Sequence, residues 1–427
     1  MSRPVRAHRR AAALGAAVAL ALAVTACSSS NDSSTSSGSG ASSSSSSVDL
    51  SALGTPNAAT GTPVTVGLMT DAGGGALDAQ SALAQQGAEI ATKYVNEYMG
   101  GVAGHKLELF VCGNKATPAG AQDCANQFVE KKVAAVIWPF TGQGSAVPII
   151  TAAGIPIVAS SGSSAEELTT AGAFLITGGY PGTLGAYALD SKNRGVKKFA
   201  MVVVDVPAAT QAAQGLGGIT FKNAGVAYEV IPAAPGTADL TPQLQQAVSD
   251  GADAVGVTGD VTFCTSFLQA YDTLSLKLAK YVIATCNDES VVKALPTALE
   301  GAYEATLTAA GPDDALYGAM VTKYGDGSIS TNPTQSSGVA GGVGSVMNFM
   351  AGMKGFTGDV TPAAILNQFK TTTGSIFLSG GLPFKCDGTA IAILPNICSA
   401  SFQMSVLRAD GTVASSTQID ASAMYKS

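Results

Sequence analysis

The sequence predicts an α/β protein made of two doubly wound parallel-sheet lobes joined by a hinge. Three observations lead there. Short apolar, β-branched runs alternate with longer stretches whose apolar residues recur at helical spacing. The short runs are apolar throughout, as strands buried on both faces require. The alternation begins at Pro63 and restarts after Gly195 with no low-complexity linker between, so two sheets of one class are expected to touch.

The first element is a leader. Arg3, Arg6, Arg9 and Arg10 precede an apolar stretch from Ala11 to Val24, and small residues follow as Val24-Thr25-Ala26-Cys27. A basic head, a short apolar middle and a small-residue break describe an export signal over residues 1–26. The stretch is short of the roughly 20 apolar residues a membrane-spanning helix needs. Its end resembles the lipobox of bacterial lipoproteins, which implies that Cys27 carries a lipid; a plain secretory signal is the alternative. A tether comes next. Ser28 to Ser47 holds 14 serines in 20 positions, too little side chain to offset the entropy of ordering. As a coil it reaches about 25 Å. Residues 27–62 are therefore expected to link a membrane-held Cys27 to a domain working outside.

The first lobe takes its strands from VTVGL (64–68), KLELFV (106–111), VAAVIW (133–138) and IPIVAS (155–160). Between them ALDAQSALAQQGAEIATKYVNEYM, TPAGAQDCANQFVEK and QGSAVPIITAAG carry the helical period. The second lobe repeats the pattern with VKKFAMVVV (196–204), VAYEVI (226–231), DAVGVT (253–258) and KYVIAT (280–285). Its helices are TQAAQGLGGITFKNAG, LTPQLQQAVSDG and VTFCTSFLQAYDTL. Residues 311–371 read as mainly helical, and the tail from Ile376 as strands and turns. The expected lobes are 63–181 with 307–382, and 182–306 with 383–427.

Removing the leader leaves 19 basic against 30 acidic residues, a net charge of −11. No basic run survives, which argues against nucleic acid as a partner. Besides Cys27 there are six cysteines. An even count in an exported chain points to disulfides, and grouping in sequence favours Cys112–Cys124, Cys264–Cys286 and Cys386–Cys398. A thiolate metal site is the rival. No pair has C-x-x-C spacing, however, and one histidine, His105, is left after processing, so neither metal nor cofactor is expected.

In an open parallel sheet, ligands collect beyond the carboxyl ends of the strands. Trp138, the single tryptophan, is followed there by Thr141 and Gln143; Ser160, Ser161 and Ser163 follow the next strand. Tyr180 lies near the passage between lobes, and Asp205, Asp260, Asn287 and Asp288 hold the matching positions of the second sheet. His105 precedes its strand and belongs at the opposite edge, away from any catalytic role. No G-x-S-x-G elbow or G-x-x-x-x-G-K-[ST] loop occurs, and GQGSAV from Gly142 has Val147 where a dinucleotide loop needs glycine.

The stretch GAEIATKYVNEYMGGVAGHKLELFVCGNKATP resembles the type I periplasmic solute-binding proteins, in particular their branched-chain amino-acid (Leu/Ile/Val) branch. The shared positions are Gly87, Ala88 and Ala91, then Asn96, Gly100, Gly101 and Gly104, then Lys106 to Leu109. The likeness continues through VAAVIWPFTG, AGIPIVASSGSSAEELT and RGVKKFAMVVVD and fades after about residue 310. It implies two lobes closing on a small molecule, with hydroxyls of the first lobe holding a carboxylate. Those carry over as Thr141, Gln143, Ser161 and Ser163, and donors at helix starts suit an anion. The second-lobe tyrosine of the family falls near Ala209 or Thr210. Its acid falls at Asn287 or Asp288, with Asp260 as a substitute. A desolvated amine needs an opposite charge; without a facing aspartate the solute is an aromatic acid or an amide. Trp138 stands where the family has glycine, beside a ligand or packed under the hinge.

The resemblance thus implies a monomeric, lipid-anchored solute-binding protein on the outer face of the cytoplasmic membrane, delivering an amino acid or related solute to an ABC transporter permease. A sensor on the same anchor, signalling to a membrane receptor, is the alternative, and a hydrolase using Ser161 or Ser163 a more distant one.

Overall fold

The computed structural model describes residues 49–74, 78–139 and 143–426. The leader, Cys27, the serine tract and Thr141 lie outside the described residues. In chain order, the first sheet forms from β1 (Gly61–Thr70), α1 (Asp78–Tyr98), β2 (His105–Gly113), α2 (Pro118–Lys131), β3 (Val136–Trp138), α3 (Val147–Ala152), β4 (Ile157–Ala159), α4 (Ala165–Thr169) and β5 (Ala173–Leu175). The second forms from α5 (Gly179–Asn193), β6 (Lys198–Val204), α6 (Pro207–Ala212), α7 (Gly218–Ala224), β7 (Ala227–Ala233), α8 (Thr241–Ser249), β8 (Ala254–Thr258), α9 (Val261–Thr273), β9 (Ala279–Val282), α10 (Glu289–Ala294) and β10 (Tyr303–Thr306). The chain then returns through α11 (Pro312–Tyr324), α12 (Ser337–Gly352) and α13 (Pro362–Thr371) to a hairpin of β11 (Thr373–Ser375) and β12 (Pro383–Lys385). It ends with β13 (Ser401–Leu407) and β14 (Val413–Asp420).

The first sheet is parallel throughout, in the order β2-β1-β3-β4-β5. Side chains alternate across a strand, and here both faces are core. Val136, Trp138, Ile157, Ala159, Ala173 and Leu175 turn to one cluster with residues of α2 and α3. Ile137, Val158 and Phe174 turn to the other, against α1, α11 and α12. That two-sided burial explains strands without polar alternation.

The family-like motif has structural reasons. A Cβ at Gly87 would sit 2.0 Å from the Val339 carbonyl oxygen, and one at Gly342 would sit 1.9 Å from that of Ala84. Only glycine lets α1 and α12 approach so closely. Asn96 donates to the Leu107 carbonyl at 2.8 Å and accepts the Leu107 N–H at 2.7 Å, which fastens the end of α1 to β2.

The second sheet has the order β14-β13-β10-β9-β8-β6-β7. Strands β6 to β10 are parallel, while β13 and β14 add an antiparallel edge absent from the expected all-parallel lobe. A tight turn joins them, with Arg408 N–H donating to Thr412 O at 2.7 Å, far shorter than the crossover that parallel neighbours need.

Two expected boundaries move. Residues 396–398, part of the segment assigned above to the second lobe, lie against β5: Cys398 donates to Leu175 O at 2.7 Å and Leu175 to Asn396 O at 2.8 Å. The edge of β5 had backbone groups to pair, and this segment pairs them. The passage to the second sheet therefore falls at 399–401. The tether also ends before residue 62. Leu53 is buried, its short 3-10 turn (Leu50–Leu53) packs on α11, and Asn57 and Ala59 donate to the carbonyls of Glu97 and Asn96.

Three disulfides join Cys112 in β2 to Cys124 in α2, Cys264 in α9 to Cys286 beyond β9, and Cys386 to Cys398. Among the described residues no helix is long and apolar enough to cross a membrane.

Candidate ligand-binding site

Strand β4 ends at Ala159, and the loop after it carries the serines. Ser160 approaches the Ser345 hydroxyl on α12 at 3.4 Å, and its carbonyl accepts both the N–H and the hydroxyl of Thr177, at 2.9 and 2.7 Å. Ser164 caps α4 and Glu167 reaches back, a reciprocal capping box. Glu167 Oε2 accepts the N–H of Ser163 at 2.8 Å and of Ser164 at 2.9 Å. The other oxygen, Oε1, is buried without a partner. Burial raises the carboxyl pKa, opposed by those N–H groups and the Ser164 hydroxyl.

This loop meets the start of the second lobe. A Cβ at Gly179, whose φ is +52°, would lie 3.3 Å from Ser161 Cβ, so Ser161 stands against the first residue of α5. Tyr180 follows, half-buried, with its hydroxyl buried and lacking a hydrogen bond of proper geometry. Burial pushes that hydroxyl above its ordinary pKa, offset in part by the Thr258 hydroxyl at the end of β8. Thr258 itself points its hydroxyl at Met201 Sδ, 3.7 Å away. Ser161, Tyr180 and Thr258 thus draw the carboxyl ends of both sheets to one place.

Other candidates are placed differently. The Trp138 indole is wholly buried, in the same core cluster as residues of α2 and α3, with its N–H unpartnered; in this conformation it is core, not a surface open to a solute. Gln143 donates to Ala116 O at 3.3 Å on the loop before α2. Ser163 is exposed. Asp205 is exposed and accepts the Thr210 hydroxyl at 3.2 Å. Asp260 caps α9 through Phe263 N–H at 2.8 Å, and Asp288 caps α10 through Ser290 N–H at 2.8 Å. Those two carboxylates serve helix starts, where such residues are favoured. Asn287 is drawn to the β13–β14 turn, donating to Gly411 O at 2.9 Å and to Glu304 at 3.4 Å. It does not join the serine loop.

Sequence reasoning missed Glu167 and Thr258, and also Asp71, buried at the end of β1 and accepting Asn114 Nδ2 at 2.8 Å. The S-x-x-E spacing of Ser164 and Glu167 was the available signal for the first. His105 opens β2 at the far edge, its Nδ1 2.8 Å from Thr62 O, so no Ser–His pair forms among the described residues. Nor do three or more His, Cys, Asp or Glu side chains gather there as a metal site. The arrangement offers hydroxyl and main-chain groups for holding a molecule.

A family model described as periplasmic binding protein matches residues 63–392. Among solved structures, the branched-chain amino acid transporter substrate-binding protein LivJ from Streptococcus pneumoniae, in complex with isoleucine, superposes with a TM-score of 0.61 at 18% identity, covering 84% of this chain and 99% of that one. A fatty acid ABC transporter substrate-binding protein from Thermomonospora curvata gives 0.62 at 15% identity, covering 86% and 96%. A solute-binding protein of an ABC transporter from Rhodopseudomonas palustris, in complex with 3,4-dihydroxybenzoic acid, gives 0.61 at 15%, covering 84% and 98%. A search of curated proteins by sequence found no match.

Proposed function

The chain belongs to the periplasmic binding protein family, and from that membership we propose that it captures a small polar solute between its two lobes and hands it to an ABC transporter permease. The observation that carries this reading is the convergence of Ser161 with Gly179 and Tyr180. Hydroxyls at the carboxyl ends of two parallel sheets meet there, where such folds hold ligands, and Tyr180 keeps a buried O–H in need of an acceptor. The lobes hinge at three passages, near 176–179, 306–309 and 399–401. The same reading assigns Thr141, which lies outside the described residues, and Gln143 to the first-lobe contacts, and requires Asp205 and Asp260 to leave their present partners if they are to close from the second.

In the same proposal the chain is exported, cleaved before Cys27 and lipid-anchored there, so that the serine tract holds a monomer close to the permease. Relatives are described with isoleucine, fatty acids and a dihydroxybenzoate, and the solute is sought among amino acids and related carboxylates or amides.

The test is titration with a panel of such compounds, following the melting temperature and the emission of Trp138. A ligand at 100 times its Kd stabilises the folded state by about 2.7 kcal/mol, which a melting curve resolves. A panel that shifts neither readout overturns the proposal.

A further inference from the structure

The two main sheets have four edges, and three of them are blunted in ways that discourage pairing with another chain. Strand β2 carries exposed Lys106 and Glu108. Strand β5 is paired by Asn396 and Cys398, and β7 contains Pro232, which has no N–H to offer. Strand β14 is different. It closes the second sheet and is bonded to β13 alone. Its residues, VASSTQID, include no proline, glycine, lysine or arginine. All but Ile419 are exposed, so neither face of the strand is covered.

The main-chain pattern tells which groups are free. Ala421 donates to Ala400 O at 2.9 Å, and bonding alternates along an antiparallel pair. Ile419, Thr417 and Ser415 therefore turn their main-chain groups to Phe402, Met404 and Val406 of β13. Ser416, Gln418 and Asp420 turn theirs outward, where no main-chain partner meets them among the described residues.

This outward row is complementary to itself. Across a two-fold axis at Thr417, Ser416 exchanges main-chain bonds with Gln418 of a second copy, and Gln418 with its Ser416. The two Thr417 side chains stand directly opposite, a favourable cross-strand pair. Asp420, the strand's one charge, falls opposite Ala414 of the second copy rather than opposite another acid. Beside Ala414 is Val413, whose carbonyl accepts from the exposed Arg408 guanidinium. The carboxylate of each copy thus approaches the arginine of the other. Asp420 Oδ1 accepts Ser422 N–H at 2.9 Å, and Oδ2 remains for that arginine.

We propose that β14 pairs antiparallel with β14 of a second copy of this chain, joining the two seven-stranded sheets into one. Each copy keeps its own cleft, so the monomer remains the unit that binds solute. A single strand pair buries little surface, which makes the dimer weak in dilute solution. Copies held on one membrane by a lipidated Cys27 meet at a higher effective concentration.

The test uses the exported chain carrying Cys27→Ser, whose remaining cysteines are all bridged. Sedimentation equilibrium is expected to show monomer and dimer exchanging with concentration. Gln418→Pro removes an outward N–H without touching the bonds to β13, and the two hydrogen bonds lost per dimer are expected to weaken association about tenfold. Should that variant not fold, Thr417→Lys sets like charges opposite each other on the axis, with an expected loss of about fivefold. Mild oxidation should cross-link Thr417→Cys but not Ser415→Cys, whose two copies lie about 13 Å apart along the strands in this register. A chain that stays monomeric at every concentration overturns the proposal. So does a dimer indifferent to both substitutions, or equal cross-linking at positions 415 and 417.

Discussion

Glu167 Oε2 accepts the main-chain N–H of Ser163 at 2.8 Å, and through this bond a buried carboxyl shapes the loop that carries Ser160 to Ser164. Glu167→Ala would leave two N–H groups without their acceptor, a cost of roughly 1–3 kcal/mol in stability. The loop would also lose its preorganisation, and solute affinity is expected to fall about tenfold. Urea unfolding and a binding titration on the same variant separate the effects. A stability loss with unchanged affinity would show that the loop is no part of the site.

Tyr180→Phe should split stability from binding. The hydroxyl is buried with no well-formed hydrogen bond, the Thr258 hydroxyl being its polar neighbour, so its removal is expected to cost the empty protein little and to leave the melting temperature close to level. The solute loses a donor, and its affinity is expected to drop at least fivefold. A clear loss of stability in the empty protein would mean the O–H is already satisfied.

Stability is expected to decline as pH rises from about 4.5 to 7. Glu304 is buried in the second sheet, and burial lifts its carboxyl from the ordinary 4.5 to about 7, with the Asn287 amide opposing. Over that window the folded state keeps a proton the unfolded state has released, so folding is favoured at the acid end and weakened above it. At about 1.4 kcal/mol per pKa unit, the loss is roughly 3 kcal/mol. Glu167, also raised, adds in the same direction. Denaturant melts at pH 5 and pH 8 measure the difference, and Glu304→Gln should flatten most of it. An equal slope in that variant would assign the effect elsewhere.

Replacing Cys264 and Cys286 together by alanine is expected to cost about 2–4 kcal/mol, since the bridge closes a 22-residue separation. Loss of Cys386–Cys398 is expected to cost a similar amount and to expose the intervening segment to protease, because that bridge pins it beside β5. Equilibrium melts and limited proteolysis check both.

Much of the architecture was legible from local pattern. Strands such as β6, inside VKKFAMVVV, announced themselves by unbroken apolar runs, because a sheet covered on both faces has no polar side to encode. The motif glycines at 87 and 101 stand where a Cβ would meet the carbonyl oxygens of Val339 and His105. The site was less legible. Asp260 and Asp288 sit where ligand-binding acids were expected, yet the same positions are helix starts, and an N-cap uses the same residue types. Trp138 at a strand end was equally ambiguous, since direction across a strand, not position along it, decides between core and cleft.

The sequence alone determined the class of fold, the alternation that builds both sheets and the likeness to a family, because each rests on neighbours in the chain. Only the tertiary structure decided that Asn396 and Cys398 pair with β5 of the first sheet, and that Asn287 turns to a hairpin 124 residues away. Those pairings depend on which distant backbone and side-chain groups remain unsatisfied once the sheets have formed, and no local spacing records that.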